Sequence, residues 1–371
     1  KPLYYMFDKN GKFEICSQLF SIKNRNKIDL NALKLYFDFG YIPSPYSIYE
    51  NISKINPGEF LRYNLNSKSI IKKFYWLYPA RKTFFGLKKG LINIKKIIRN
   101  AIDLRLYSDA KKGIFLSSGV DSSILASVCT QNSNEKILSF TVAFEGYSAD
   151  ESHDVLKNAN YLNLDFNIIK FNPEEVLAYM DKMFDYFDEP FSDTASLPLL
   201  AMSKQYKKLA TVSITGDGGD ELFLGYNQYK YLLFLDIIYF FPVAFRKIFS
   251  KILKSFSLFR SIRLKRICSI IEQKNRTDCS LIFFTNFTIN DDIYDFLKRR
   301  NIYDKLKEIP SIINKFSFLH STVWLPGNNN VKLDRSSMAF GLELRSPFLD
   351  YRLHEYFSTL PLSSFFPLGS K

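Results

Sequence analysis

Cysteine is scarce in this chain: Cys16, Cys129, Cys268 and Cys279 stand far apart, and no two form a C-x-x-C pair. That spacing indicates neither a zinc site nor a disulfide framework, and it fits a reducing compartment. Histidine is scarcer still, and His153, His320 and His354 are isolated from one another, so no transition-metal site is assigned. Long hydrophobic runs are missing as well. The most apolar stretch, Tyr231 to Phe245, is interrupted by Asp236 and Pro242 and falls short of the roughly 18 to 20 apolar residues of a membrane span. It is expected to form a buried helix or helix pair, broken at the proline. With no visible signal peptide, these absences predict a cytoplasmic protein without a membrane partner. Negative charge is also in deficit, because 37 Asp and Glu face 51 Lys and Arg, for a net charge of +14. Such an excess raises a nucleic-acid reading, which the motifs below have to support or displace. An initiator methionine is absent too: the sequence opens on Lys1, so the numbering is expected to start inside a longer chain.

What is present is enough for a full core. The 371 residues are 46% hydrophobic and 16% aromatic, which excludes disorder as the main state and suggests more than one domain. Residues 1–78 have strand character. Leu3 to Phe7 and Lys12 to Cys16 flank Asn10-Gly11, while Glu59 to Leu65 and Ile70 to Tyr75 flank Asn66-Ser67, both hairpin signals. Between them, Asp29 to Phe39 predicts a helix with Leu30, Leu33 and Phe37 on its apolar face, stopped by Gly40. A basic, glycine-containing stretch over 79–90 reads as a linker. From residue 91 onward, helical patterns alternate with the short apolar strands Ile114–Leu116, Ile137–Phe144, Asn167–Phe171 and Thr211–Thr215, which predicts a parallel sheet with crossover helices. Residues 225–320 are basic, apolar and mostly helical in pattern.

Two turns carry chemistry. Gly113 to Ser123 runs from an apolar strand through Ser117-Ser118-Gly119-Val120-Asp121-Ser122 into a helix. Small side chains let backbone N–H groups face inward and the helix N-terminus adds partial positive charge, so the turn can cradle an anion. The Gly-Lys-Ser/Thr ending of a Walker A loop is missing. A lysine-free loop with an Asp where Mg²⁺ could sit suits holding the pyrophosphate of ATP while the α-phosphate is attacked. Taken alone, the same turn also serves as an ordinary β–α connection with Asp121 as N-cap. The second turn, Thr215-Gly216-Asp217-Gly218-Gly219-Asp220-Glu221, repeats the plan after Thr211–Thr215. Its clustered carboxylates would repel ATP unless Mg²⁺ lay between them. A purely solvated acidic turn is the plainer alternative, but this glycine content is costly in conformational entropy and helps no core.

The first loop resembles the Ser-Gly-Gly-x-Asp-Ser loop of the PP-loop ATP pyrophosphatases. Together with Thr215 to Phe223 and Ser346-Pro347-Phe348-Leu349-Asp350, it resembles the asparagine synthetase family, glutamine-hydrolysing kind. Asp188-Glu189-Pro190-Phe191, Leu325-Pro326-Gly327, Asp334 to Ala339 and Glu343-Leu344-Arg345 follow in the family's order. Phe39 to Pro43 and Lys54 to Gly58 look like the end of its glutaminase domain. The resemblance implies an α/β fold in which a parallel sheet with flanking helices, of the PP-loop adenine nucleotide alpha-hydrolase type, follows a β-rich, partial N-terminal-nucleophile glutaminase domain. In domain terms, 1–78 is expected to be the glutaminase remnant, 79–90 the linker and 91–371 the ATP-binding domain, truncated at its C-terminus.

By the same resemblance, the chain amidates aspartate to asparagine through an aspartyl-adenylate, releasing AMP and pyrophosphate, with ammonia normally drawn from glutamine. Leu116, Val142, Thr215 and Gly216 should contact ATP. Ser117, Ser118, Gly119, Asp121 and Ser122 should hold pyrophosphate, with Asp121 and Asp220 placing Mg²⁺. Asp217 stands where the family has an acidic residue that assists amide formation. Arg335, Glu343 and Arg345 are expected on the carboxylate-substrate side, or else in a structural ion-pair network. Lys371 is the candidate for a lysine that neutralises pyrophosphate. Departures are Ser118 in place of a glycine, Leu224 where a glycine commonly follows Leu-Phe, and Asn328 to Asn330 where an acidic residue is common. The nucleophilic first cysteine of the family is expected to be absent, since Cys16 lies within a predicted strand and lacks a free α-amino group.

The family also contains enzymes that amidate sugar uronates in polysaccharide pathways or close a ring, as in β-lactam synthetase, and that alternative acceptor remains open. A thiolating, tRNA-modifying PP-loop enzyme would need reactive or metal-binding cysteines, and no RNA module with stacking aromatics is visible. The expected partners are therefore small molecules (aspartate or another carboxylate, ammonia and ATP) and not nucleic acid, with a homodimer compatible. A catalytically dead scaffold is the remaining class.

Overall fold

The computed structural model describes residues 1–8, 11–23, 25, 27–81, 91–131, 136–144, 152–255, 262–285 and 290–366. Most of the expected linker, residues 82–90, and Lys371 lie outside the described residues. At the N-terminus, a continuous apolar run forms β1 (Tyr4–Phe7), which pairs antiparallel with β2 (Phe13–Cys16) and β3 (Ile52–Lys54). A second antiparallel ladder joins β4 (Glu59–Tyr63) to β5 (Ile70–Phe74).

The helix Leu30–Phe39 begins where the Asp29 side chain accepts from the backbone N–H groups of Asn31 and Ala32, and it ends at Gly40, whose φ of +80° suits glycine. Its buried face is not the one expected. Leu30 and Phe37 are exposed, while Ala32 and Leu35 are buried. Ala32 packs with Tyr4, Met6 and Leu19 of the N-terminal core, whereas Leu35 packs with Phe296 and Leu319 of the helical region. Ala32 and Leu35 share one broad face that two separate clusters cover, and those tertiary contacts, invisible to periodicity, set its rotation.

The main sheet contains β6 (Lys112–Phe115), β7 (Leu138–Phe144), β8 (Asp165–Phe171), β9 (Val212–Ile214) and β10 (Glu343–Arg345), in the order β10-β9-β6-β7-β8. Every pairing is parallel. The strand β10 was not expected, because three residues with charges at both ends carry no strand signal. The chain builds outward from β6 through β7 to β8, then returns to the other side of β6 with β9. Strand order therefore reverses between β6 and β9, and the crevice at the carboxyl ends of those strands is where such sheets bind ligands. Beneath it, Ile114, Leu116, Ile214, Leu125, Leu222 and Phe348 form one buried cluster.

A long helical run, Ile312–Leu319, continues through a π-helical stretch at His320–Asn329 into Asn330–Met338. Pro326 lies inside the π-helical part, where wider turns accommodate its missing N–H. His320 is a core residue: it stacks on Trp324 at 5.1 Å, and burial holds its imidazole down at about 3, so it is neutral. The helix pair expected around Tyr231–Phe245 is present as Asn227–Ile238 and Val243–Ser255, but it is not buried throughout. No described helix is long and apolar enough to cross a membrane.

Asp188 and Glu189 tie the N-terminal strands to the sheet domain. Glu189 accepts from Ile48 N at 2.8 Å and from the Tyr4 hydroxyl at 3.2 Å, and it pairs with Lys54. Asp188 pairs with Arg335 at 2.5 Å, and Arg335 donates to the Ser17 carbonyl at 2.8 Å. These are buried, multiply bonded pairs, so removing one partner would leave an uncompensated charge.

Candidate active site

The two glycine-containing turns leave adjacent strands, β6 and β9, and open into one cavity of about 820 Å³. Leu116, Ser117, Gly119, Asp121 and Ser122 line it from the first turn, Val142 from β7, and Thr215, Gly216, Asp217 and Asp220 from the second. Ser118 lies in the first turn but does not line the cavity.

Hydroxyl groups hold the first turn in shape. Ser122 Oγ accepts from Ser117 N at 3.1 Å and lies 2.9 Å from Ser117 Oγ, and Gly119 N donates to Ser117 Oγ at 3.3 Å. The helix Val120–Gln131 then starts at the cavity wall with Asp121 in its first turn. Two glycines of the second turn are sterically required. Gly218 has φ +86°, and a side chain there would run into Leu349. At Gly219 a Cβ would occupy the place of the Asp121 carboxylate, so only glycine lets the two turns meet.

Thr215 is buried, with its hydroxyl 2.8 Å from Ser346 Oγ and its N–H donating to the Arg345 carbonyl at 2.9 Å. The Ser346–Asp350 motif is thereby a support. Phe348 is buried under the crevice, and Asp350 caps the helix Tyr351–Ser358 while pairing with Arg105 at 2.6 Å and Arg352 at 2.8 Å. Burial opposes ionisation of Asp350, but the two arginines outweigh it and hold its carboxyl at about 2.

The carboxylates of the second turn are electrostatically stressed. Burial, with the charge of Asp220 added, pushes Asp121 up to about 6. Burial and the charge of Asp217 push Asp220 upward as well. Among the described residues, no cation pairs with Asp121 or Asp220. Glu221 is the most confined of the group, 2% exposed, and burial raises it to about 7 although the Tyr226 hydroxyl donates to its Oε1 at 2.6 Å. Asn329, at the end of the π-helical stretch, also faces the cavity and donates from Nδ2 to Asp217 Oδ1 at 3.4 Å. Sequence reasoning noted Asn329 only as a departure and missed Tyr226. Nothing in their local pattern marks them, because distant segments bring them in.

Arg335, Glu343 and Arg345 carry two expectations, the carboxylate-substrate side or a structural ion-pair network. None lines this cavity. Arg335 faces the N-terminal strands through Asp188. Arg345 pairs with Glu343 at 2.8 Å and donates to the Arg105 and Tyr107 carbonyls at the end of the helix Leu91–Leu106. All three side chains thus take part in ion pairs outside this cavity.

No cluster of three or more His, Cys, Asp or Glu side chains among the described residues is arranged to hold a metal by itself. Two carboxylates facing a phosphate-sized turn are a different donor set, the one Mg²⁺ uses when substrate phosphates complete its octahedron. The unpaired, mutually repelling Asp121 and Asp220 fit it.

Comparison with known proteins agrees with this geometry. The glutamine amidotransferase domain family matches residues 1–76, and the asparagine synthase family matches residues 93–370. A Methanocaldococcus jannaschii protein described as a glutamine-hydrolysing asparagine synthetase is 31% identical over 357 residues, covering 91% of this chain and 67% of the relative. Asparagine synthetase (glutamine-hydrolysing) 1 of Bacillus subtilis is 28% identical over 379 residues, covering 97% of this chain and 58% of the relative. The chain thus spans about two thirds or less of the length of these relatives. With most of its length matched and the two glycine-containing turns meeting at one crevice, the chain belongs to the asparagine synthase family.

Proposed function

We propose that this chain catalyses ATP-dependent amidation of a carboxylic acid, with aspartate as the first candidate and an acyl-adenylate as intermediate. The observation that carries the reading is the convergence of Asp121 and Asp220, from two different strand ends, on one cavity beside the serine turn. A carboxylate oxygen of the acceptor attacks the α-phosphorus of ATP, the bond from that phosphorus to the bridging oxygen breaks, and pyrophosphate leaves. Ammonia then attacks the acyl carbon and gives up a proton, and AMP departs with the electron pair of the broken acyl–oxygen bond.

The chain's own groups divide this work. Ser117, Gly119 and Ser122, with the N-terminus of the helix Val120–Gln131, cradle the pyrophosphate, while Leu116, Val142, Thr215 and Gly216 border the nucleoside. Asp121 and Asp220 hold Mg²⁺, which when bound neutralises phosphate charge and orients the leaving group. Asp217, steadied by Asn329, orients ammonia or accepts its proton. Lys371 is proposed to neutralise pyrophosphate, and the glutamine amidotransferase part of the protein to supply ammonia.

The test is a panel of carboxylic acids, including aspartate and sugar uronates, screened with ATP and ammonium for AMP and pyrophosphate formation. Aspartate-dependent release is the expected result. Release with a uronate alone would move the acceptor to polysaccharide chemistry, and no release with any acid would sink the reading. For Asp217→Asn, adenylate formation should survive within a few-fold while amide formation falls by a factor of about 100, the range typical of a lost general base. Measured separately by pyrophosphate exchange and amide yield, the reverse pattern would reassign Asp217.

A further inference from the structure

The helix Val243–Ser255 is turned inside out. Its buried positions are Arg246 and Ser250. Arg246 donates from Nη1 to the carbonyls of Ile271 at 2.6 Å and Gln273 at 2.9 Å, closing the end of the helix Ile262–Ile271, and Ser250 donates to Glu272 Oε1 at 2.6 Å. Polar contacts therefore fix the inner face. The outer face carries Phe245, Ile248, Phe249 and Ile252 at i, i+3, i+4 and i+7, a single apolar stripe in solvent. Upstream, Tyr231, Phe234 and Ile237 form a second stripe on the helix Asn227–Ile238, and Phe240 and Phe241 follow it. These five are 54–69% exposed. Scattered exposed apolar residues need no explanation, but paired stripes of this size mark a contact surface.

The exposed charges on these two helices have one sign, with Lys254 paired to Glu272 of the neighbouring segment at 2.5 Å. Lys230, Lys247, Lys251 and Lys254 are exposed, whereas the one acid of the two helices, Asp236, is buried and accepts from Ile312 N and Ile313 N. Residues 227–271 hold nine basic residues against that single acid, eight of the fourteen net positive charges of the whole chain. Beside the stripes, Lys274, Arg276, Lys307 and the buried Lys315 line a cavity of about 560 Å³, where Arg276 pairs with Asp236 at 3.5 Å and lies 5.3 Å from the ring of Phe240, and Lys307 pairs with Asp304 at 2.9 Å.

We propose that this face docks peripherally on a bilayer surface that contains anionic lipids. Phe and Ile side chains enter the boundary between headgroups and acyl chains, and the lysines and the basic cavity meet lipid phosphates. A nucleic acid would use the cations but not the aliphatic stripe, and an uncharged apolar partner would not need acid to be withdrawn from the surface. The sequence-based expectation of no membrane partner rested on the lack of a spanning segment, which surface docking does not require. The proposal is independent of the identity of the amidated acid.

The test is cosedimentation of the full chain with vesicles of phosphatidylcholine alone or with about a third phosphatidylglycerol, at low salt and at about 0.5 M NaCl. Binding to the anionic vesicles at least about tenfold tighter than to phosphatidylcholine, and weakened by salt, is expected. Phe245→Glu with Phe249→Glu should lower it by about tenfold or more without changing ATP–pyrophosphate exchange. Lys247→Glu with Lys251→Glu should weaken only the anionic binding, and this pair decides the matter if the phenylalanine variant does not fold. Absence of binding to anionic vesicles overturns the proposal, as does equal binding to both lipids at low salt. It is also overturned if the phenylalanine variant splits a dimer in sedimentation velocity while vesicle binding is unchanged, which would make the face a contact between copies.

Discussion

Asp121→Asn is expected to lower ATP–pyrophosphate exchange by a factor of about 100 or more, or ~2.7 kcal/mol of transition-state stabilisation. The substitution keeps the shape that fits against Gly219 and removes only the charge. That charge is costly to the folded protein. Burial and Asp220 together raise the Asp121 carboxyl to about 6, and among the described residues no cation pairs with it. A group whose pKa is raised in the folded state binds its proton more tightly folded than unfolded, so its ionisation takes stability away as pH rises from the ordinary carboxylate range through about 6. The asparagine variant should therefore unfold at the same temperature as the parent or higher, while exchange collapses. Parallel thermal melts and labelled-pyrophosphate exchange separate a lost ligand from a lost fold. Unchanged exchange in the variant would remove the first turn from the reaction.

Glu221→Gln should stabilise the protein at pH 8 by about 3 kcal/mol and flatten its pH dependence. Glu221 is raised from 4.5 to about 7, chiefly by burial, and each unit of displacement corresponds to about 1.4 kcal/mol. Since the residue is almost fully buried, solvent screening does little to reduce that penalty. The sign follows from proton uptake. Below about pH 4.5 the carboxyl is protonated in both states and costs nothing, whereas above about 7 it is ionised in both and the full penalty applies. The parent should lose stability across this window as pH rises. Gln keeps an oxygen to accept the Tyr226 hydroxyl at the same place, so packing is preserved while titration is removed. Urea unfolding at pH 5 and pH 8 measures the effect, and equal pH slopes for parent and variant would show that Glu221 does not titrate here.

Legibility from sequence followed how local each feature is. The strands before the two turns could be read because short apolar runs ending in Gly, Ser and Asp are local signals, and the sheet forms on those runs. Thr215 and Asp121 drew attention as members of loop motifs, yet their proximity depends on β9 returning to the far side of β6. Arg335, Glu343 and Arg345 stand in motifs that follow the family's order, but no local pattern announces their partners, Asp188 and the carbonyls at 105 and 107, which come from elsewhere in the chain. Leu30 and Phe37 misled because the face that two separate clusters cover, with Ala32, Leu33 and Leu35 on it, is set by where those clusters lie in space.

The sequence by itself determined the alternation of strands and helices, the two glycine-containing turns and the excess of positive charge, since each is written in neighbouring residues. Only the tertiary structure decided which carboxylates share a cavity and that Asn329 and Tyr226 join them. It also decided that Ser346–Asp350 supports the crevice from below and that the apolar stripe after Pro242 faces solvent. The physical reason is common to all four. Desolvation, repulsion between charges and the burial of an apolar face depend on distances in space, and a chain that folds back on itself sets those distances independently of separation along the sequence.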